Sequence, residues 1–513
     1  MTREEPSAGI RLGRFFPLLV IALVLVAKVG VAARAGLAKD EGYYALWSVY
    51  PSPGYLDHPP AVAWIIAFGR IVLGETVLGI RLGALLAGIV VLAAVYRTGH
   101  LLFDRRAARL AALWYALTIA TGLDFLITPD TPSVLFWTLA VWALAEFIAG
   151  GNPWWWLAVG AFAGLGVEGK YTDLFLGLGL VLLTLSSRER RGWLRLWQLW
   201  AGGALTLLMV VPNFLWNAGH GWATLFFQGR RIGDTLTSGN LPELIAAEVL
   251  LLGPGIVAFA ILAILVLLFR KHTDRRNGFV VLVLTTMPLW LYFLWHALHA
   301  RVEANWLLPS VPATVLLAAA CATRPWTGLA RGWVRFGVAA QTLFGAAAVV
   351  FLYTQILFSP LAVPALDRTR ELQGWTQLQN EISDLAEANN ARWVAVLGDY
   401  PLTGQLVTYG RIAGDPLPIQ PLGEPVRYAF LPGLPAQVLQ QPALYVATVI
   451  GEDIPDVPGS LFATSQFIAT VSRRNNDDII ERYAVYRVEG LDPRFVGSPG
   501  GGAPVADAGQ VQQ

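Results

Sequence analysis

Residues 15–60 read FFPLLVIALVLVAKVGVAARAGLAKDEGYYALWSVYPSPGYLDHPP. Phe15 to Ala33 is an apolar run long enough to cross a hydrocarbon core of about 30 Å. It follows Arg3, Arg11 and Arg14, which is the pattern of a secretory signal ending near Ala33-Arg34-Ala35. The run is longer than a typical signal core and many further spans follow, so it reads as a retained first helix. Just past it come the acidic pair Asp40-Glu41, the aromatics Tyr43, Tyr44 and Trp47, and the loop Tyr55-Leu56-Asp57-His58-Pro59-Pro60. Ionisable groups at a membrane boundary are costly and usually functional, so this junction is where a site is expected.

The whole chain has the same character. Its 513 residues are 55% hydrophobic and 14% charged, against roughly 25% charged in an ordinary soluble domain. The single cysteine, Cys321, excludes an intramolecular disulfide framework and a cysteine-based zinc cluster, and reads as a small buried hydrophobe. With a net charge of +2 and no basic stripe interleaved with aromatics, no nucleic-acid partner is expected.

Further spans are predicted near Val77 to Tyr96, Leu110 to Ile127, Ser133 to Ala149, Leu196 to Trp216, Val249 to Phe269, Phe279 to Trp295, Trp306 to Ala322 and Phe336 to Phe358. Trp154 to Val167 and Thr172 to Leu185 read as a pair of short helices, for about eleven spans in all. Ala61 to Leu73 is too short to cross; after Pro59-Pro60 it reads as an interfacial helix. With the N-terminus in the cytoplasm, the inner side carries 18 Lys and Arg in short loops and the outer side 7. That asymmetry sets the orientation.

After about Leu361 prolines and charges become frequent. Gly374 to Asn389 reads as an amphipathic helix; Arg392 to Leu397, Ala443 to Ile450, Gln466 to Ser472 and Arg482 to Val488 read as strands. The expected organisation is a membrane domain over 1–360, a small α/β domain over 361–496 on the outer side, and a disordered Gly- and Ala-rich tail over 497–513.

This threading brings Asp40, Glu41, Asp57, His58, Asp130, Lys170, Arg230, Arg231, Arg301 and Glu303 to one face. A carboxylate such as Asp40 can take a proton from a hydroxyl, with nearby lipid tuning its pKa; the plainer reading of Asp40-Glu41 is a helix-capping pair. Asp130 also suits a helix N-cap, and a helix N-terminus favours a nearby phosphate. Lys170, Arg230 and Arg231 can neutralise a phosphate or anchor to headgroups. Arg301 and Glu303 can simply pair with one another, Asp124 reads as a satisfied partner, and Trp154, Trp155 and Trp156 as an interfacial belt.

The loop Tyr55 to Pro60 shortly after Asp40-Glu41 resembles the first-loop signature of the GT-C glycosyltransferases of family 39, the superfamily of protein mannosyltransferases and aminoarabinose transferases. Thr128-Pro129-Asp130-Thr131-Pro132 is similar to that family's second acidic motif. Lys170-Tyr171, Trp216-Asn217, Arg301 to Trp306 (RVEANW), Gly374-Trp375 and Gly398-Asp399-Tyr400 also resemble its patterns. One departure is His58, where the aminoarabinose branch has lysine.

The resemblance implies a mainly α-helical polytopic GT-C membrane protein of about 11 to 13 transmembrane helices with a C-terminal α/β domain, in the bacterial inner membrane. It implies transfer, with inversion, of a sugar from a polyprenyl-phosphate donor to an envelope acceptor, lipid A, lipopolysaccharide or another glycolipid or glycan. Asp40 would be the general base, with Glu41 and Asp130 in the catalytic set. Lys170, Arg230, Arg231, His58 and Arg301 would surround the donor phosphate, and Tyr55, Asp57, Glu303 and Asn305 would contact acceptor or donor sugar. No cofactor is demanded; a divalent metal ion on Asp57 and His58 stands as an alternative to hydrogen bonding of loop backbone. Competing readings are a protein O-mannosyltransferase, a lipid-linked sugar flippase, and a membrane-embedded assembly protein. A flippase would favour midplane charges and internal repeats, and neither is evident.

Overall fold

The computed structural model describes residues 8–230, 239–269, 275–361, 367–476 and 478–495, with side chains from Phe16 onward. Arg231, Arg270, Lys271 and the segment after Phe495 lie outside the described residues.

Among the described residues seven helices are long and apolar enough to cross a membrane, eight if the bent pair Asn240–Leu252 and Pro254–Phe269 is one span. Ala61–Leu73, Trp155–Val167 and Tyr171–Leu185 are shorter apolar helices. This is a multi-pass membrane protein. Leu18, Leu19, Leu23 and Val26 of the first helix and Leu207, Leu208, Phe214 and Leu215 of Trp197–Gly219 expose large apolar side chains, as lipid-facing surfaces require.

Two predicted spans are broken and a third is irregular, each for a local reason. Leu110 to Ile127 forms the helix Arg105–Ala116 and the single turn Ile119–Gly122. There Thr118 caps the new turn through Thr121 N–H, and the Thr121 hydroxyl donates to the Tyr115 carbonyl, so side chains compete with the helical ladder. Val249 to Phe269 bends by 107° at Gly253, whose φ of +91° suits glycine. Trp306 to Ala322 starts as the 3-10 turn Ala304–Ser310 and continues as Val311–Ala322, since Pro309 and Pro312 cannot join a regular ladder.

The C-terminal domain carries a five-stranded sheet: β1 (Trp393–Leu397), β2 (Ile419–Leu422), β3 (Ala443–Val449), β4 (Phe462–Asn475) and β5 (Asp478–Leu491), in the order β2-β1-β3-β5-β4. β2, β1 and β3 are parallel, and β5 and β4 add an antiparallel hairpin. The expected helix forms over Trp375–Ala388. Besides short single turns, the sequence reading missed the short β2, which contains Pro421, and the helix Tyr400–Ala413. The helix was signalled by Asp399, which caps Leu402 N–H, with Pro401 in its first turn.

That helix fastens the domain to the membrane part by crossing Lys39–Val49 backbone against backbone. A Cβ on Gly404 would lie 2.4 Å from Tyr43 N, and one on Gly42 would lie 2.9 Å from Gln405 N. Thr408 Oγ1 donates to Gly42 O at 2.9 Å, Gln405 Nε2 to Ala38 O at 2.5 Å, and Leu37 N to Tyr409 Oη at 2.9 Å.

Candidate active site

Lys39–Val49 presents its two adjacent acids to different surroundings, because successive residues on a helix do not share a face. Glu41 is fully buried. Arg81 Nε donates to its Oε1 at 2.9 Å and Nη2 to its Oε2 at 2.5 Å, and Ile127 N and Ala38 N add bonds at 3.0 and 2.8 Å. Arg81 spends its remaining donors on the carbonyls of Ala32, Ala35 and Gly36. With both oxygens filled, Glu41 ties the ends of three segments together, while Asp40 beside it on the helix faces other surroundings.

Asp40 keeps one open oxygen. Tyr400 Oη donates to Oδ1 at 3.2 Å, and among the described residues Oδ2 takes no hydrogen bond. Burial raises the pKa of Asp40, and Asp57 and Glu371 push the same way, against the Tyr400 hydrogen bond and Arg427. Tyr44, one turn on, is held well above the usual phenol range by burial and by the nearby Asp40, Tyr400, Asp57 and Asp130. The acids from the first and second loops therefore meet at one end of the bundle.

Asp57 is bound by a residue that the sequence reading missed. Arg427 Nη1 lies 2.7 and 2.8 Å from its two oxygens, and Tyr43 Oη donates to Oδ2 at 2.9 Å. Among the described residues there is no group of three or more His, Cys, Asp or Glu able to hold a metal ion. The Asp57 carboxylate is held in an arginine clamp. Nothing in the sequence around Arg427 distinguishes it from other loop arginines. Tyr55 is buried, stacks on Trp47 at 3.9 Å with a 6° tilt, and donates to Trp47 O at 3.1 Å, so it braces the first loop.

Asp130 opens the helix Asp130–Gly150. Lys170 Nζ donates to its Oδ1 at 2.6 Å and Asn305 Nδ2 to its Oδ2 at 2.7 Å. Three separate motifs thus converge on one carboxylate. The Lys170–Asp130 pair is buried and stands between two cavities. One, of about 380 Å³, is lined by Asp130, Asn305, Glu303 and Thr128 over an apolar floor that includes Val91 and Leu251. The other, of about 260 Å³, is lined by Lys170, His58, Gln228, His296, Tyr171 and Trp306. Behind them Asp173 accepts from Ser133 Oγ, and burial lifts Glu168 to about 7. A third, apolar cavity of about 820 Å³ shares Leu123 and Leu126 with the first and has Arg368, Thr369 and Glu371 at its rim.

The remaining expected residues lie further out. Arg301 is half exposed and pairs with Glu243 at 3.1 Å and with Glu303 at 3.6 Å, the local pairing allowed for from the sequence. Arg230 is exposed at the end of the helix Ala223–Gly229. Asp124 pairs with Lys28 of the first helix at 2.5 Å.

Comparison with known proteins bears on this arrangement. The structure superposes on ArnT from Cupriavidus metallidurans in the apo state with a TM-score of 0.65 at 16% identity, covering 93% of this chain and 98% of that one. The same protein bound to undecaprenyl phosphate gives 0.64 over 94% and 98%. The chain has the GT-C fold of that protein. Within this GT-C chain, residues 57–216 match the family described as dolichyl-phosphate-mannose-protein mannosyltransferase. A lipid A galacturonosyltransferase, RgtD of Rhizobium johnstonii, is 25% identical over 289 residues, 54% of this chain. That alignment spans 59% of the relative's length.

Proposed function

We propose that this GT-C protein is an inverting glycosyltransferase that moves a sugar from a polyprenyl-phosphate carrier to a lipid A-type envelope glycolipid. The observation that carries the reading is Asp40: a partly buried carboxylate with one oxygen held and the other open, at the same end of the bundle as the Lys170–Asp130–Asn305 cluster. In the proposed reaction Asp40 Oδ2 accepts the proton of the acceptor hydroxyl. The acceptor oxygen bonds to the anomeric carbon as the bond from that carbon to the phosphate oxygen breaks. The carrier phosphate leaves with the electron pair and needs no proton if cations offset its growing charge. Lys170 lines one of the adjoining cavities beside His58 and is the cation for that role.

Lipid A as the acceptor class is supported by the named relative, and the polyprenyl-phosphate carrier by the undecaprenyl phosphate bound to the superposable ArnT. The positive-inside asymmetry of the loops supports an N-terminus in the cytoplasm and a C-terminal domain in the periplasm of a bacterial inner membrane. The match to the mannosyltransferase family supports a second reading, transfer to a protein hydroxyl.

The test is mass spectrometry of lipids copurifying with the Asp40→Asn protein, alongside transfer assays on the unmodified protein. The expected outcome is a retained polyprenyl-phosphate sugar, and transfer to lipid A by the unmodified chain alone. Transfer to a protein acceptor would select the second reading, and full activity of Asp40→Asn would end both.

A further inference from the structure

We infer that the C-terminal domain completes the site: Tyr400 and Arg427 are positioning residues that turn Asp40 so that Oδ2 faces the acceptor hydroxyl. The inference rests on the glycosyltransferase reading above and adds a task for the domain to it. Tyr400 Oη occupies Oδ1 of Asp40 at 3.2 Å, which leaves Oδ2 as the oxygen able to take a proton. The tyrosine ring is itself fixed. The Arg427 guanidinium lies 4.4 Å from its centroid on one side, and the Tyr43 ring lies 5.0 Å away at a 58° tilt. Cation–π contact of this kind is strongest where water is excluded, and the Arg427 side chain is 5% exposed.

Arg427 is anchored in turn. It bonds Asp57 through Nη1 and Glu424 through Nε at 2.8 Å, and Tyr43, on the Asp40 helix, closes the circuit by donating to Asp57. The circuit joins the membrane part to the C-terminal domain at a crossing where Gly42 and Gly404 leave no slack. An error of about 1 Å in a reacting group can cost on the order of 100-fold in rate, so a rigid mount for Asp40 has a direct catalytic value.

The charged and titratable groups facing Asp40 are Tyr400 and Arg427 from the C-terminal domain, Glu371 from the turn Arg368–Leu372, Asp57 from the first loop, and Tyr44 from its own helix. Tyr400 and Arg427 favour the carboxylate form, while Glu371, Asp57 and burial oppose it. Loss of either supporting group therefore raises the pKa of Asp40 and carries the acid limb of the rate profile upward.

The experiment measures kcat and KM against pH for the full-length protein in proteoliposomes, with a polyprenyl-phosphate sugar as donor. The unmodified chain and Asp40→Asn come first; activity that depends on Asp40 establishes the underlying reading independently of Tyr400 and Arg427. Tyr400→Phe keeps the ring and removes the bond. It is expected to lower kcat with KM little changed and to move the acid limb up by roughly one pH unit. Arg427→Gln is expected to move it the same way and Arg427→Lys to restore part of the shift. If Arg427→Gln does not fold, Tyr400→Phe decides alone. An unmoved acid limb in Tyr400→Phe, whether the rate is unchanged or falls equally at every pH, overturns the inference and leaves the glycosyltransferase reading standing. Activity independent of Asp40 removes both.

Discussion

Arg427 and Asp57, 370 residues apart in the chain, form a contact in which one guanidinium nitrogen reaches both carboxylate oxygens at 2.7 and 2.8 Å. Breaking a buried pair by removing one partner strands the other charge, at a cost of about 3–5 kcal/mol. Arg427→Ala should therefore lower the thermal unfolding temperature markedly, and Asp57→Ala in the same background should recover part of the loss. Thermal unfolding in detergent of both single variants and the double variant gives the coupling directly, and additive losses would rule the contact out.

The Glu41–Arg81 pair predicts a loss of folding more than a loss of chemistry. Both side chains are completely buried, so Glu41→Ala leaves the guanidinium without its counter-ion, again at about 3–5 kcal/mol. Membrane yield and monodispersity on gel filtration should fall for Glu41→Ala. Asp40→Asn should keep both while losing transfer.

Lys170 and Asn305 divide their effects differently. Lys170→Met removes a cation from beside the proposed phosphate site, and the rate should fall on the order of 100-fold. Asn305→Asp replaces the donor to Asp130 with a like charge, so activity should fall, and the deficit relative to the unmodified chain should narrow at lower pH, where one of the two carboxylates is protonated. Steady-state rates at two pH values check both.

At Gly404 a Cβ would meet the Tyr43 backbone at 2.4 Å, and backbone has no rotamer in which to retreat. Gly404→Val should loosen the C-terminal domain from the helix Lys39–Val49. Limited proteolysis should then cut between the membrane part and the sheet faster than in the unmodified chain, whereas Gly414→Ala, where a Cβ meets open space, tests only the positive φ and should not raise that cleavage.

The ionisation of Asp40 gives the pH dependence its sign. A base works as the carboxylate, and burial raises the pKa of this one above the usual 3.8. Transfer should fall as pH drops through that raised value, so the acid limb should lie above the range of an exposed aspartate. An acid limb at or below that ordinary range would contradict the burial of Asp40.

Much of this was legible along the chain. The apolar runs located the spans because burial in lipid depends on a local sum of side-chain transfer energies over about 20 residues. The acidic and basic motifs at Asp40, Asp130, Lys170 and Asn305 were legible because each lies at the mouth of a span. Two breaks in the spans and one irregular start were not anticipated, although Gly253, Pro309 and the hydroxyls of Thr118 and Thr121 mark them. The two strands of the β4–β5 hairpin were recognised but drawn short and not paired, since their outer ends alternate weakly between polar and apolar residues.

By itself the sequence determined a multi-pass membrane protein with its ionisable motifs gathered at one end and a C-terminal α/β domain. Hydropathy, charge asymmetry and motif spacing are properties of neighbouring residues. Only the tertiary structure decided that Glu41 is sealed against Arg81 while Asp40 keeps an open oxygen, that Tyr55 is packed away, and that Arg427 holds Asp57. Those outcomes depend on which distant groups fill a carboxylate's lone pairs once water is removed, and that is settled by three-dimensional packing across hundreds of residues of chain.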